Sequence, residues 1–260
     1  MPAEYDVVAI RYATRMTTRG ECFYRYHVYG EPDRSLRLDF YFWLLRGPDQ
    51  VILVDTGVHP AAERPGRQLL IRPADAVAAL GVAADDVSQV VVTHCHSDHI
   101  GNLAAFPRAR LTVQRREIDF WSGPMARRRQ FAATVNPGQI EYLRGAIDSG
   151  RGAVIDGDTA VADGVEVRLV GGHCPGQQIV IVRTPGAPVV LPSDAVHFYE
   201  ELDRQMPFGV LWNLEEMYAA YDLLQSLAAT GAIVVPGHDP EVMRRFSPVG
   251  DGLELMARLS

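Results

Sequence analysis

The stretch VVVTHCHSDHIGN, residues 90–102, constrains this chain more than any other. Its apolar start predicts a strand, and His94, His96 and His99 follow within six positions, with Asp98 beside the last of them. Side chains at i and i+2 of an extended chain point to the same side, so His94 and His96 can hold one metal ion. Asp98 and His99 follow where the backbone turns, and there they can face a second ion. A chance HxHxDH is expected in roughly one such chain in two thousand, so a turn with incidental polar residues is a weak alternative.

Further polar residues also follow short apolar runs. Asp55 comes after the run at 51–54, and His173, Asp194 and His238 come after three later runs. Loops held at the edge of a sheet commonly carry binding and catalytic groups, so these side chains can gather beside the histidine cluster. Imidazole and carboxylate suit zinc, and two metal ions about 3.5–4 Å apart form a recurrent hydrolytic unit.

The hydrophobic pattern predicts an α/β layered fold with mixed sheets, in one continuous domain over residues 1–260. The predicted strands are Tyr5–Ala9, Cys22–Tyr29, Leu38–Leu45, Val51–Val54, Gln89–Thr93, Ala109–Val113, Val165–Val170, Gln178–Val182, Val189–Leu191 and Ala232–Val235. The predicted helices are Ala74–Leu80, Glu117–Trp121, Gln139–Ala146 and Leu214–Ala229. Apolar residues recur at three- and four-residue spacing in the last helix, and Gly231 suits its C-terminal end.

Composition narrows the range of partners. A net charge of −7, from 25 basic and 32 acidic residues, disfavours a general nucleic-acid binder. No apolar run approaches the ~18 residues of a membrane span. The N-terminus, MPAEYDVVAI, lacks the pattern of a signal peptide, and three cysteines at unrelated spacings argue for a reducing compartment. We therefore expect a cytoplasmic protein that acts on a small molecule.

The motif THCHSDHIGN, with VILVDTG at 51–57 and the later histidines and aspartate in order, resembles the metallo-β-lactamase superfamily over roughly residues 40–240. The resemblance implies an αβ/βα sandwich, in which two mixed β-sheets carry helices on their outer faces. It also implies two zinc ions, one bound by His94, His96 and His173, the other by Asp98, His99 and His238, with Asp194 bridging them. The Asp55 turn would orient a ligand or the backbone beside it.

Within the superfamily the chain is most similar to the N-acyl-homoserine lactonase branch, in length, N-terminal region and ligand order. Those lactonases place a tyrosine that contacts the substrate carbonyl three positions after the bridging aspartate. This chain has His197 there and Tyr199 two residues further on. The resemblance implies a quorum-quenching hydrolase that opens a lactone ring by attack of a hydroxide held between the zinc ions. Asp98 or water would protonate the leaving group, and His197 or Tyr199 would help to stabilise the oxyanion.

The aromatic residues of the sequence suggest a substrate with an apolar substituent. Tyr24, Tyr26, Phe40 and Trp121 are the candidates for lining its pocket, and Cys95 and Cys174 are expected to be structural. Hydrolysis of another ester, a thioester or a lactam is the main alternative. An iron-dependent sulfur dioxygenase and a non-catalytic binding protein are two further alternatives from other functional classes.

Overall fold

The structure is a computed structural model that describes residues 3–60, 66–250 and 254–260. The strands β1 to β14 are Asp6–Thr18, Ser35–Arg46, Val51–Val54, Arg67–Leu69, Val87–Val91, Arg110–Gln114, Gly152–Ile155, Thr159–Ala162, Val165–Leu169, Gln178–Val182, Val189–Leu191, Ile233–Val234, Ser247–Pro248 and Met256–Arg258. The helices α1 to α8 are Arg19–Cys22, Pro73–Ala79, Arg115–Ser122, Arg129–Ala132, Pro137–Asp148, Tyr199–Arg204, Leu214–Ala229 and Val242–Arg245.

The strands form two sheets, and both are mixed. The first has the order β13-β14-β1-β2-β3-β5-β6-β7, with β4 added beside β1. Strands β3, β5, β6 and β7 are parallel to one another, whereas β1 and β2 pair antiparallel. The second has the order β12-β11-β10-β9-β8, antiparallel except for the β11–β12 pair.

Three apolar cores lie between the layers of helices and sheets. Val7 and Ala9 of β1 pack between the two sheets, whereas the alternate residues Val8 and Ile10 pack on the opposite face, together with side chains of α2, α3 and α5. A third core lies between the second sheet and α7, where Leu224 is fully buried. Burying such a side chain is favourable by about 1.5–3 kcal/mol. The order of layers is helix, sheet, sheet, helix, which confirms the expected αβ/βα sandwich.

The helix predicted at Leu214–Ala229 has these same bounds in the structure. The Asn213 side chain accepts hydrogen bonds from the backbone of Glu215 and Glu216 and so caps the start of the helix. Just past its end, Gly231 takes a left-handed conformation with a φ of 93°, as its predicted role as a stop requires.

The strand predicted at Cys22–Tyr29 is wrong. Cys22 ends α1, and Tyr26–Tyr29 form a 3₁₀ helix. Arg25 and Gly30, on either side of that helix, have φ values of 49° and 66°, which an extended strand does not allow. Phe23 and Tyr26 of this segment are buried, and their rings contact each other with centroids 6.1 Å apart.

The loops that carry the predicted site meet at one edge of the sandwich. Asp55 follows β3 and the histidine cluster follows β5 in the first sheet, whereas His173, Asp194 and His238 follow β9, β11 and β12 of the second. None of the helices in the described ranges combines the length and the hydropathy of a membrane span.

Candidate metal centre

Asp55 fixes the loop that carries the histidine cluster. Its carboxylate accepts hydrogen bonds from the Thr93 backbone at 2.9 Å and from the Thr93 hydroxyl at 2.7 Å. The same carboxylate lies 2.8 Å from His99 Nδ1. The Asp55 backbone is left-handed, with a φ of 64°, a conformation that costs of order 1–3 kcal/mol and persists where the surroundings impose it. Asp55 therefore turns His99 so that its Nε2 faces the site.

Each of the five predicted histidine ligands has one ring nitrogen beside a partner other than Asp194. Those partners are Thr93 Oγ1 for His94, Cys174 Sγ for His96, Asp55 Oδ2 for His99, Val210 O for His173 and Asp39 O for His238. Metal-binding histidines characteristically engage the second ring nitrogen in this way, because the contact fixes the tautomer and the orientation of the ring.

The remaining ring nitrogens of four of these histidines lie beside the Asp194 carboxylate, whereas His96 Nδ1 lies 2.9 Å from His173 Nε2. Its Oδ1 lies 3.0 Å from His238 Nε2 and 3.3 Å from His99 Nε2. Its Oδ2 lies 3.4 Å from His173 Nε2 and 3.8 Å from His94 Nε2. One oxygen therefore faces the histidines expected at one ion, and the other oxygen faces those expected at its neighbour.

The donor atoms fit metal ions. The Nε2 atoms of His94 and His99 are buried and make no hydrogen bond within the described residues. An unpaired buried polar atom is costly, and a metal ion beside each of the two nitrogens would satisfy it. Burial holds the pKa of His94 and of His173 well below the ordinary value, so these imidazoles are neutral, the form that binds metal.

Hydrogen bonds hold both the backbone and the side chain of Asp98 at the same site. Its backbone carbonyl accepts a hydrogen bond from the buried Tyr12 hydroxyl at 2.8 Å, and its Oδ2 accepts one from Arg67 Nη2 at 3.1 Å. Burial acts to raise the pKa of Asp98, but the charges of Arg67 and His99 outweigh burial and lower it below its ordinary value. The carboxylate is therefore ionised and available as a ligand.

Glu117, in the first turn of α3, connects the loop that carries His94 and His96 with the loop that carries His173. Its buried carboxylate accepts hydrogen bonds from the backbone of Cys95 at 2.7 Å and of Gly176 at 2.8 Å, and from Trp121 Nε1 at 2.8 Å. A Cβ at Gly176 would lie 2.6 Å from the Glu117 backbone nitrogen, so only glycine allows this approach. Sequence reasoning missed this role, because no spacing links Glu117 to the ligand motifs.

His197 lies in the cavity beside the Asp194 carboxylate. Its Nε2 is 3.2 Å from Asp194 Oδ2, its Nδ1 is 3.5 Å from Glu201 Oε1, and its ring stacks on Phe208 with centroids 3.6 Å apart. Burial acts to lower the pKa of His197, but the carboxylates of Asp194 and Glu201 outweigh burial and raise it to about 9. His197 is therefore placed where the sequence predicts a group that contacts the substrate.

The alternative that Tyr199 supplies this contact does not agree with the structure. Tyr199 begins α6, and its ring packs against the core between the sheets. The Arg245 guanidinium lies 3.7 Å from the ring centroid, and Tyr199 is not one of the described residues that line the cavity.

The cavity over the predicted ligands has a volume of about 120 Å³. It is lined by Arg15, Leu38, Phe40, Arg67, His96, Asp98, Thr134, His173, Asp194, His197, Phe208, Val210 and His238. Of the predicted aromatic residues, Phe40 lines it, and the Trp121 ring lies 5.7 Å from that of His96. Tyr24 and Tyr26 do not line it, and the Tyr26 hydroxyl instead accepts a hydrogen bond from Arg19 at 2.7 Å. Sequence reasoning missed the two arginines, Leu38, Phe208 and Val210, which carry no motif.

Cys95 and Cys174 have different surroundings. Cys95 is buried in the core beneath the first sheet, as expected. Cys174 is also buried, but its Sγ lies 3.3 Å from His96 Nε2, so it contacts a predicted ligand and is not only a packing residue. Its thiol and the ligand nitrogens of His94, His96 and His173 lie within 4.8 Å of one another.

Comparison with known proteins agrees with this geometry. A sequence profile of the metallo-β-lactamase superfamily matches residues 41–239. This chain belongs to the metallo-β-lactamase superfamily. An N-acyl homoserine lactonase AttM of Azorhizobium caulinodans is 33% identical to it over 179 residues. The match spans 65% of this chain and 65% of the length of that superfamily relative.

Solved structures show the same metallo-β-lactamase fold. A quorum-quenching N-acyl homoserine lactone lactonase superposes with a TM-score of 0.72 at 23% identity, over 93% of this chain and 94% of that one. AidC, a dizinc quorum-quenching lactonase in complex with a product, superposes with a TM-score of 0.73 at 18% identity, over 92% of this chain and 89% of that one.

Proposed function

We propose that this protein is a hydrolase that binds two zinc ions and opens the ring of a lactone similar to an N-acyl homoserine lactone. The observation that carries the proposal is the position of the Asp194 carboxylate, whose two oxygens face different histidine pairs. A carboxylate shared in this way suits two neighbouring ions. The similarity to lactonases supports a cyclic ester as the bond that is hydrolysed. Three free cysteines support a cytoplasmic location.

The chain would hold one ion through His94, His96 and His173 and the other through Asp98, His99 and His238, with Asp194 between them. When bound, the ions would lower the pKa of water and polarise the lactone carbonyl. Neither ring nitrogen of His197 makes a hydrogen bond within the described residues, so a ring N–H can donate a hydrogen bond to the carbonyl oxygen as charge develops there. Phe208 fixes the plane of this ring by stacking on it.

Asp98 is placed to receive and deliver a proton. In lactone hydrolysis the acyl C–O bond breaks, water supplies the new acyl oxygen, and the departing ring oxygen takes up a proton. Asp98 lines the same cavity as His197 and is held ionised by Arg67, so it can take the proton that the attacking water loses and pass it to the departing ring oxygen. We propose that the apolar part of the substituent lies against Leu38, Phe40 and Val210 of the cavity wall.

A hydrolysis screen with zinc-loaded protein tests the proposal. The panel consists of N-acyl homoserine lactones, thioesters, β-lactams and phosphodiesters, together with a measurement of oxygen consumption and of metal content. We expect ring opening of a lactone without oxygen uptake. Protein that leaves every lactone intact while it cleaves another bond, or that is active with one iron and consumes oxygen, would refute the lactonase assignment.

A further inference from the structure

Two arginines face each other across a strand pair at the rim of the site. Arg15 of β1 is directly opposite Arg67 of β4 in the antiparallel register, and both side chains line the cavity that contains the predicted ligands. Like charges placed directly opposite each other destabilise a sheet. The only carboxylates that line this cavity among the described residues are Asp98 and Asp194, and both are predicted metal ligands.

Arg67 has more N–H donor groups than its contact with Asp98 uses. Its side chain is only 7% exposed, and Nη2 is bound to Asp98 at 3.1 Å. Its Nε and Nη1 are also buried, and neither makes a hydrogen bond to any residue within 3–60, 66–250 or 254–260. The guanidinium carbon lies 4.4 Å from the centroid of the Phe40 ring, which fixes the plane of the group. If Arg67 served only to balance the charge of Asp98, one N–H would suffice.

Arg15 adds a second cation that the site can use. Its side chain is 36% exposed, and its ion pair is with Glu21 at 3.4 Å, a weak contact at the surface. Glu21 is held elsewhere too, because its carboxylate accepts a hydrogen bond from Thr17 at 2.6 Å. Only weak contacts therefore fix the Arg15 guanidinium in its position beside Arg67.

We propose that Arg67 and Arg15 together bind a carboxylate carried by the substituent of the substrate. This inference rests on the proposed function, and it narrows the substrate class to lactones with an anionic substituent. Guanidinium and carboxylate are matched in geometry, and such charge-assisted pairs are stronger than neutral hydrogen bonds. A carboxylate here would supply acceptors for the unpaired donors of Arg67 and would offset the repulsion between the two cations.

The test compares N-succinyl homoserine lactone with the same molecule in which the terminal carboxylate is a carboxamide. We expect zinc-loaded wild-type protein to prefer the carboxylate by about tenfold or more in kcat/KM at low salt, with added salt reducing the preference. Arg15→Gln and Arg67→Gln should each bring the ratio close to one. Arg108→Gln is the matched control, because Arg108 is 75% exposed and does not line the cavity, and it should keep the wild-type ratio.

Two readouts separate this inference from the proposed function. Opening of the carboxamide lactone tests the proposed function alone, because that substrate has no anionic substituent. Calorimetric titration of both compounds, which requires no turnover, tests the arginine site, and Arg15→Gln avoids any direct contact with a predicted ligand. Tighter binding of the carboxylate by the wild type, lost in Arg15→Gln, supports the inference. Equal affinities, no binding of the carboxylate, or a preference that survives Arg15→Gln would overturn it.

Discussion

At the scale of single residues, Asp194 and His197 share the cavity but differ in what their loss removes. Asp194→Asn replaces an oxygen that faces one histidine pair with an amide nitrogen, so one ion loses its shared ligand. His197→Phe removes a donor to the carbonyl, which is worth on the order of 10²–10³ in rate. We expect Asp194→Asn to lower zinc content and kcat further than His197→Phe does. The exposed Asp222→Asn is the control, and near-normal zinc content and turnover in Asp194→Asn would contradict the ranking.

Cys174 offers a second test at this scale, because its thiol contacts His96, a predicted ligand. If the thiol only accepts from His96 Nε2, Cys174→Ser keeps an acceptor and Cys174→Ala leaves a buried N–H unpaired. We expect zinc affinity, measured by competition with a chelator, to fall about tenfold in the alanine variant and much less in the serine variant. Equal losses in both variants would indicate that the sulfur itself is a ligand.

The sequence predicts ligands better than it predicts their supports. The positions of the ligands follow from fixed local spacing, as in His94, His96 and His99, or from a place directly after an apolar run. Glu117 and Arg67 reach the site from separate elements through tertiary contacts, and no local pattern marks them. Cys174 directly follows His173, but its contact with His96 depends on the fold. The same reason explains why Tyr199, two residues from His197, lies outside the cavity: the first turn of α6 directs its ring toward the core between the sheets.

At the scale of elements, α3 acts on the site through one carboxylate. Glu117 binds the backbone of two of the loops that carry predicted ligands, at Cys95 and at Gly176, so these two loops share an anchor. Glu117→Gln keeps the shape but replaces one acceptor oxygen with an NH₂ group that faces a backbone N–H. We expect zinc affinity to fall by about 10–100-fold, as for other residues that orient ligands, with little change in secondary structure.

Chelator competition and circular dichroism measure these two quantities for Glu117→Gln. The exposed Glu141 of α5 provides the control, since Glu141→Gln makes the same chemical change away from the site. Unchanged zinc affinity in Glu117→Gln would show that the two loops hold their geometry without this anchor.

Element prediction succeeded where the local pattern and the tertiary contacts agree. The bounds of β3, β10, β11 and α7 were predicted without error. The three strands are short, mainly apolar runs with turn signals beside them, and α7 has an apolar face at helical spacing and a glycine just beyond its end. The strand prediction for Cys22–Tyr29 failed. The aromatic residues of this segment are typical of a strand, but Arg25 and Gly30 adopt left-handed conformations on either side of the 3₁₀ helix Tyr26–Tyr29. The pairing of β4 with β1, which brings Arg67 opposite Arg15, joins residues far apart in the chain and leaves no local signal.

At the scale of the whole molecule, the sheets meet at the site. The fold could be predicted because the superfamily motifs occur in the right order, whereas the strand order of the first sheet depends on long-range pairing, such as that of β14 with β1. The two sheets contribute different ligands: the first carries His94, His96, Asp98 and His99, and the second carries the others. Bound ions would therefore connect the two halves of the sandwich. One continuous domain over residues 1–260 stays a prediction.

Removal of metal should therefore lower the stability of the fold. A ligand that binds only the native state stabilises it by about 2.7 kcal/mol when its free concentration is 100 times the Kd. For a chain of this size, 1 kcal/mol corresponds to roughly 2–4 °C in Tm, so a chelator should lower Tm by about 5–10 °C. Stoichiometric zinc, close to two equivalents, should restore it, and Asp194→Asn should respond less because the shared ligand is lost. An unchanged Tm in protein shown by metal analysis to be zinc-free would contradict a link between the sheets.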